Sequence, residues 1–173
     1  MLKALAAGLA GIFMLAAPAG WAMEGIVLRD MDGRPVPVDS MLAEGPVVLN
    51  FWATWCKPCR VEMPKLQDIE KDFRGQGVHF AAISLDTRRQ KSKVEAFIDG
   101  NDITLPVYRD PEGSLARKFK VSAIPTTILL DQDAGIAFRT RGYRPGDEVL
   151  LKKEIEALLK ERGRDDKLEE ASQ

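Results

Sequence analysis

The stretch Val47-Val48-Leu49-Asn50-Phe51-Trp52-Ala53-Thr54-Trp55-Cys56-Lys57-Pro58-Cys59 decides the reading of this chain. Its opening residues, from Val47 to Trp52, form a near-continuous apolar run of strand length. That is the pattern of a central strand buried on both faces. From Cys56 to Phe73 the pattern changes. Leu66, Ile69 and Phe73 recur at helical spacing with Lys, Asp and Glu between them, and Pro64 falls inside. The only cysteines in the chain, Cys56 and Cys59, therefore stand where a buried strand hands over to a helix.

That position has chemical consequences. Cys56 is expected at or near the helix N-cap, with Cys59 in the first turn. The unpaired backbone N–H groups and the helix dipole there stabilise a thiolate. Cys56, expected to be exposed, is the nucleophile that attacks a partner disulfide. Cys59, pointing inward, resolves the mixed disulfide. Pro58 suits the first helical turn, where its missing N–H costs nothing. Lys57 either favours the Cys56 thiolate through its charge or serves solubility alone.

Outward from this junction the chain alternates. Residues 25–28 and 34–38 flank Asp30-Met31-Asp32-Gly33 and read as a β-hairpin, with Gly33 supplying a positive φ. Residues 41–45 read as a connector. A strand is expected at 78–85, a helix at 89–99, a short strand at 105–108 and a short helix marked by Leu115 and Phe119. Residues 126–131 and 136–141 form an antiparallel hairpin. A last helix, 147–160, places Leu151, Ile155, Leu158 and Leu159 on one face. Parallel crossover units thus precede an antiparallel hairpin and a helix. This order predicts an α/β fold with a mixed central sheet and helices on both faces. The domain is expected over 25–160, and the charged segment 161–173 is expected to be a disordered tail.

The chain has 173 residues, 45% of them apolar and 29% charged, with a net charge of −1. This suits one domain and gives no basic patch for nucleic acid. Lys3 is the only charge before Glu24, and an Ala-rich apolar run spans 4–17. Gly20 and Ala22 suit a signal-peptidase site, with Ala17 and Ala19 as a rival pair. Residues 1–22 are therefore expected to be a signal peptide. The alternative is a retained inner-membrane anchor, since 4–23 is about long enough to span a bilayer. Either way the folded part is periplasmic. A Cys-x-x-Cys disulfide closes too short a loop to stabilise much, so its value is chemical.

The segment from Asn50 to Cys59, with Pro64 beyond it, resembles the active-site stretch of the thioredoxin superfamily, in its exported TlpA/ResA/DsbE-like branch. Val121-Ser122-Ala123-Ile124-Pro125-Thr126-Thr127 is similar to the loop that carries that superfamily's cis-proline. The segment between Val78 and Tyr108 and the N-terminal hairpin also resemble that branch. The resemblance covers about 25–159. It implies a thioredoxin-like fold with an N-terminal hairpin and an extra βα element, and a thiol–disulfide oxidoreductase. It also implies a cis Ile124–Pro125 bond facing the dithiol, with Ile124, Pro125 and Thr126 pairing with a bound substrate and Trp55 shielding Cys56 and contacting it.

Two departures qualify this. Classical thioredoxin has a buried aspartate where this chain has Asn50, which cannot accept the proton of Cys59. Glu62, three residues after Cys59 and on the same helical face, is the candidate proton shuttle if its pKa is raised by burial. The subgroup devoted to cytochrome c maturation has Pro-Glu-Thr where this chain has Pro125-Thr126-Thr127. Some members also carry an acidic residue where Lys57 stands.

The function implied is reduction of disulfides in periplasmic client proteins, with cytochrome c maturation and copper-site assembly as the client classes on offer. A membrane thiol transporter would supply electrons, and no cofactor is expected. Two alternatives rank lower. A copper(I)-binding module would use the dithiol as ligands, but the lone histidine, His79, lies twenty residues after Cys59. A thiol peroxidase needs threonine or serine where Ala53 stands.

Overall fold

The computed structural model describes residues 25–170; the expected export segment lies outside them. The chain runs β1 (Val27–Arg29), β2 (Pro35–Pro37), α1 (Val38–Leu42), β3 (Val47–Trp52), α2 (Lys57–Phe73) and β4 (His79–Ser84). A 3-10 turn at Arg88–Gln90 leads into α3 (Lys91–Gly100), β5 (Val107–Arg109), α4 (Ser114–Lys118), β6 (Thr126–Leu130), β7 (Ile136–Arg141) and α5 (Asp147–Glu170).

Five strands form one sheet in the order β5-β4-β3-β6-β7. β4 runs parallel to both β3 and β5, whereas β6 is antiparallel to β3 and to β7. β3 is central, and every one of its residues is buried. Side-chain alternation along it feeds two cores. Val48 and Trp52 join Met63, Leu66 and Ile69 of α2, Val94 of α3 and Ile155 of α5 on one face. Val47, Leu49 and Phe51 join Leu28 of the hairpin, Val38 of α1 and Phe119 just after α4 on the other. Each such fully buried side chain contributes roughly 1.5–3 kcal/mol. The mixed sheet with helices on both faces is the architecture the element order predicts.

The N-terminal hairpin β1–β2 is antiparallel. Its turn is held by the Asp30 carboxylate, whose Oδ1 accepts from the N–H groups of Asp32 and Arg34 at 2.9 Å each. Gly33 takes φ +84°, which a Cβ would disfavour. A bridge between Asp30 and Tyr108 docks the hairpin on β5.

Three expectations need correction. The connector before β3 contains a helix, α1, which starts at Val38 and buries Val38 and Leu42 one turn apart; a single turn is too short a pattern to show periodicity. β5 begins at Val107, because Pro106 has no N–H to give the ladder and Leu105 is buried in the core ahead of it. The segment 161–170 is not a disordered tail but the continuation of α5. Its Glu, Lys, Arg and Leu residues are good helix formers. Arg162 also ties it to the body by donating to the Glu44 carbonyl at 2.7 Å.

This extension adds little core, since Leu168 is 69% exposed whereas Ile155 is fully buried. Ile155→Ala is expected to cost about 2–5 kcal/mol in urea unfolding, and Leu168→Ala less than about 0.5 kcal/mol. Equal losses would contradict this division of α5.

Candidate active site

β3 ends at Trp52 and α2 begins at Lys57, so the dithiol sits at the carboxyl end of the central strand, where open α/β sheets place their sites. Cys56 is the N-cap of α2, with extended φ −86° and ψ 105°, and Pro58 stands in the first turn. The two cysteines form a disulfide with Cα atoms 5.3 Å apart. The Cys59 N–H donates to Cys56 Sγ at 3.3 Å. After reduction, that same N–H faces whatever negative charge Cys56 carries.

The loop before β6 closes over this sulfur. The Ile124–Pro125 peptide bond is cis, and Cys56 Sγ lies 3.7 Å from the Ile124 carbonyl oxygen. This contact corrects one expectation. Cys56 is not exposed: 6% of its surface remains open, against 1% for Cys59. The loop and the cross-link cover it, although it remains the more accessible of the two. Trp55 is 63% exposed, so its side chain faces solvent. Thr126 is not available through its side chain. It is buried, and its hydroxyl donates to the Ala123 carbonyl at 2.7 Å. The Pro125 carbonyl accepts from Gly142 N–H at 2.7 Å. Of the loop's backbone, the Ile124 carbonyl is the group set against Cys56.

Glu62 lies one helical turn beyond Cys59 and is 7% exposed. The β3–β6 register pairs Asn50 with Thr127 directly beneath it. Asn50 Nδ2 donates to Glu62 Oε2 at 2.8 Å and to Thr127 Oγ1 at 2.9 Å. Thr127 Oγ1 donates in turn to Glu62 Oε1 at 2.9 Å. Burial raises the Glu62 pKa from 4.5 to about 7; the Asn50 and Thr127 hydrogen bonds oppose this, and the charges of Asp147 and Glu148 add to it. Asn50 thus holds the Glu62 carboxyl in place. A carboxyl that titrates near neutrality one helical turn from Cys59 has the proton affinity of a general acid–base group.

Two further residues escape the sequence reading. Asp86 is fully buried just after β4. Its carboxylate accepts from Thr54 N–H at 2.9 Å, Thr54 Oγ1 at 2.6 Å and Ser84 Oγ at 2.9 Å. It fixes the turn that delivers Trp55 and Cys56. Thr127 is the other. The available signals were an Asp at the carboxyl end of a parallel strand, and a Thr that antiparallel pairing sets opposite Asn50.

His79 opens β4 opposite Val47, five strand positions from Trp52. At about 3.3 Å per residue that separates it from the dithiol end by roughly 17 Å, too far to complete a metal site with the cysteines. Among the described residues, no group of three or more His, Cys, Asp or Glu side chains is placed to hold a metal ion.

The Glu62 geometry sets a pH dependence of stability. A carboxyl whose pKa rises on folding binds its proton more tightly in the folded chain. The oxidised protein is therefore expected to lose stability as pH climbs from 4.5 to about 7, by about 3 kcal/mol from this group. In Glu62→Gln this fall should disappear from urea midpoints measured across the window. An unchanged slope would show that Glu62 titrates normally.

The matches to known proteins agree with this geometry. The AhpC/TSA family model matches residues 19–139. The thiol–disulfide oxidoreductase ResA of Bacillus thuringiensis subsp. konkukian is 30% identical over 123 residues, spanning 71% of this chain and 69% of that protein. ResA of Oceanobacillus iheyensis is 36% identical over 110 residues, spanning 64% of this chain and 56% of that protein. DsbF of Mycobacterium tuberculosis, solved in mixed oxidised and reduced forms, superposes with TM-score 0.67 at 26% identity, covering 79% of this chain and 97% of that one. The chain belongs to the AhpC/TSA family, with the thioredoxin-like fold and the paired cysteines of its thiol–disulfide oxidoreductase relatives.

Proposed function

We propose that this protein is an exported thiol–disulfide reductase that acts on client proteins and receives electrons from a membrane thiol transporter. The observation that carries this reading is the placement of Cys56 at the α2 N-cap, 3.7 Å from the Ile124 carbonyl. An extended client segment can lie along the loop at Ile124 and Pro125 and against exposed Trp55, with its disulfide over Cys56.

The steps follow from the geometry. The Cys56 thiolate attacks one client sulfur, and the other client sulfur leaves as a thiolate. Cys59 then passes its proton to the Glu62 carboxylate and attacks Cys56 Sγ. The second client sulfur leaves, and the Cys56–Cys59 disulfide seen in the structure forms. Two electrons have moved to the client, whose thiolates take up protons from solvent. A membrane dithiol reverses the last step and reloads the pair. Export is supported by the apolar segment 1–22 and its small-residue cleavage pattern. The reducing direction is supported by Pro58 in the pattern Trp55-Cys56-x-Pro58-Cys59, which resembles the reducing end of the superfamily.

Equilibration of the Cys56–Cys59 pair with glutathione measures the direction. A potential near that of thioredoxin, about −270 mV, is expected. A value near that of DsbA, about −120 mV, would make the protein an oxidant.

A further inference from the structure

The proton that Glu62 accepts has to leave a site that is 7% exposed. A crevice of about 10 Å³ opens beside it, lined among others by Glu62, Thr127, Thr140, Tyr143, Asp147 and Glu148. About 10 Å³ is the space one water needs. Glu62 is buried in it, whereas Tyr143 and Glu148 are half-buried at its side. The Tyr143 hydroxyl donates to Glu148 Oε2 at 3.1 Å. The same oxygen accepts from Gly146 N–H at 2.9 Å, which fixes the carboxylate at the start of α5.

We propose that this crevice is the proton exit of the active site, with the Tyr143 hydroxyl relaying the Glu62 proton to the Glu148 carboxylate. The inference rests on the proposed role of Glu62 in resolution. The balance is simple. Glu62–COOH gives its proton to the Tyr143 oxygen, directly or through one water, as Tyr143 O–H gives its own to Glu148. Tyr143 stays neutral throughout, and Glu148 releases the proton to solvent. No other species is consumed.

The charged groups around Glu62 set where the proton is held and where it is released. From α5 it faces Asp147 and Glu148, and from the β7–α5 loop it faces Tyr143. β3, β6 and β7 offer only the neutral Asn50, Thr127 and Thr140. On α2, Lys65 acts on Glu148 rather than on Glu62. Burial and the bond to Glu148 push the Tyr143 hydroxyl up, so it does not ionise near neutrality. The N–H groups of Glu148 itself and of Gly146 hold the Glu148 carboxyl below its usual range. The step from Glu62 onto Glu148 is therefore uphill, and the release from Glu148 to water, downhill at neutral pH, draws the proton through.

The test uses the reduced protein and the aromatic disulfide dithiobis(nitrobenzoate). Its first thiolate is released when Cys56 attacks, and its second when Cys59 resolves. In Tyr143→Phe and Glu148→Gln the first release is expected at the wild-type rate. The second should slow about tenfold below neutral pH, where Glu62 starts protonated and must be emptied before it can take the Cys59 proton, and recover when a small buffer acid–base is raised in concentration. Glu148→Gln also removes a like charge that faces Glu62, so the pH midpoint of its second release should move down. Tyr143→Phe should show no such downward move. A second release that keeps the wild-type rate and midpoint in either folded variant would overturn the exit route. So would slow release that no buffer rescues. Failure of the first release in the wild type would instead overturn the role of Cys56. The two variants read the route independently, should one of them fail to fold.

Discussion

A shielded thiol cannot act as a nucleophile until something takes its proton, and this constraint organises the site. In the proposed cycle the resolving sulfur is that of Cys59, which is almost fully buried. The fold answers with a second buried group. Glu62 sits one turn along α2, held by Asn50 from β3 and Thr127 from β6. Neither holding group is charged. Their hydrogen bonds satisfy the carboxylate enough to let it ionise, while burial keeps its proton affinity near neutral. A charged partner would pull the carboxyl well below that range and leave it a poor base. The central strand, the first crossover helix and the strand after the cis-proline meet at this one acid.

The same three elements place the proposed nucleophile. Cys56 caps α2, and the loop leading into β6 sets the Ile124 carbonyl against its sulfur. Asp86, at the carboxyl end of β4, clamps Thr54 between the strand and the helix. The turn that presents Trp55 is thus tied to a neighbouring strand as well as to its own. Rigid elements on all sides hold the attacking sulfur, which is the arrangement a precise exchange site needs.

Much of this was legible in the sequence because the signals were local. The apolar run to Trp52 and the helical spacing after Cys56 placed the dithiol at a strand–helix junction, and the structure puts it there. Glu62 followed from its spacing to Cys59. What escaped was long-range or weakly patterned. The Asn50–Thr127 pairing joins residues 77 apart in sequence and exists only through the register of two antiparallel strands. Asp86 reads as a loop acid until its partner Thr54, 32 residues away, is seen. Cys56 was expected in the open because a helix start alone does not reveal the loop that covers it. The end of α5 was misread because a charged, core-free segment resembles a disordered one, while its helix-favouring residues and the Arg162–Glu44 contact decide otherwise.

The central claim is a division of labour in which Cys56 attacks and Cys59 resolves. Reduced Cys59→Ser and Cys56→Ser variants, each mixed with a disulfide-bearing protein and quenched with acid, test it most directly. The account predicts that Cys59→Ser accumulates a mixed disulfide through Cys56, whereas Cys56→Ser accumulates almost none, because Cys59 is shielded. Equal trapping by the two variants, or trapping by Cys56→Ser alone, would contradict it.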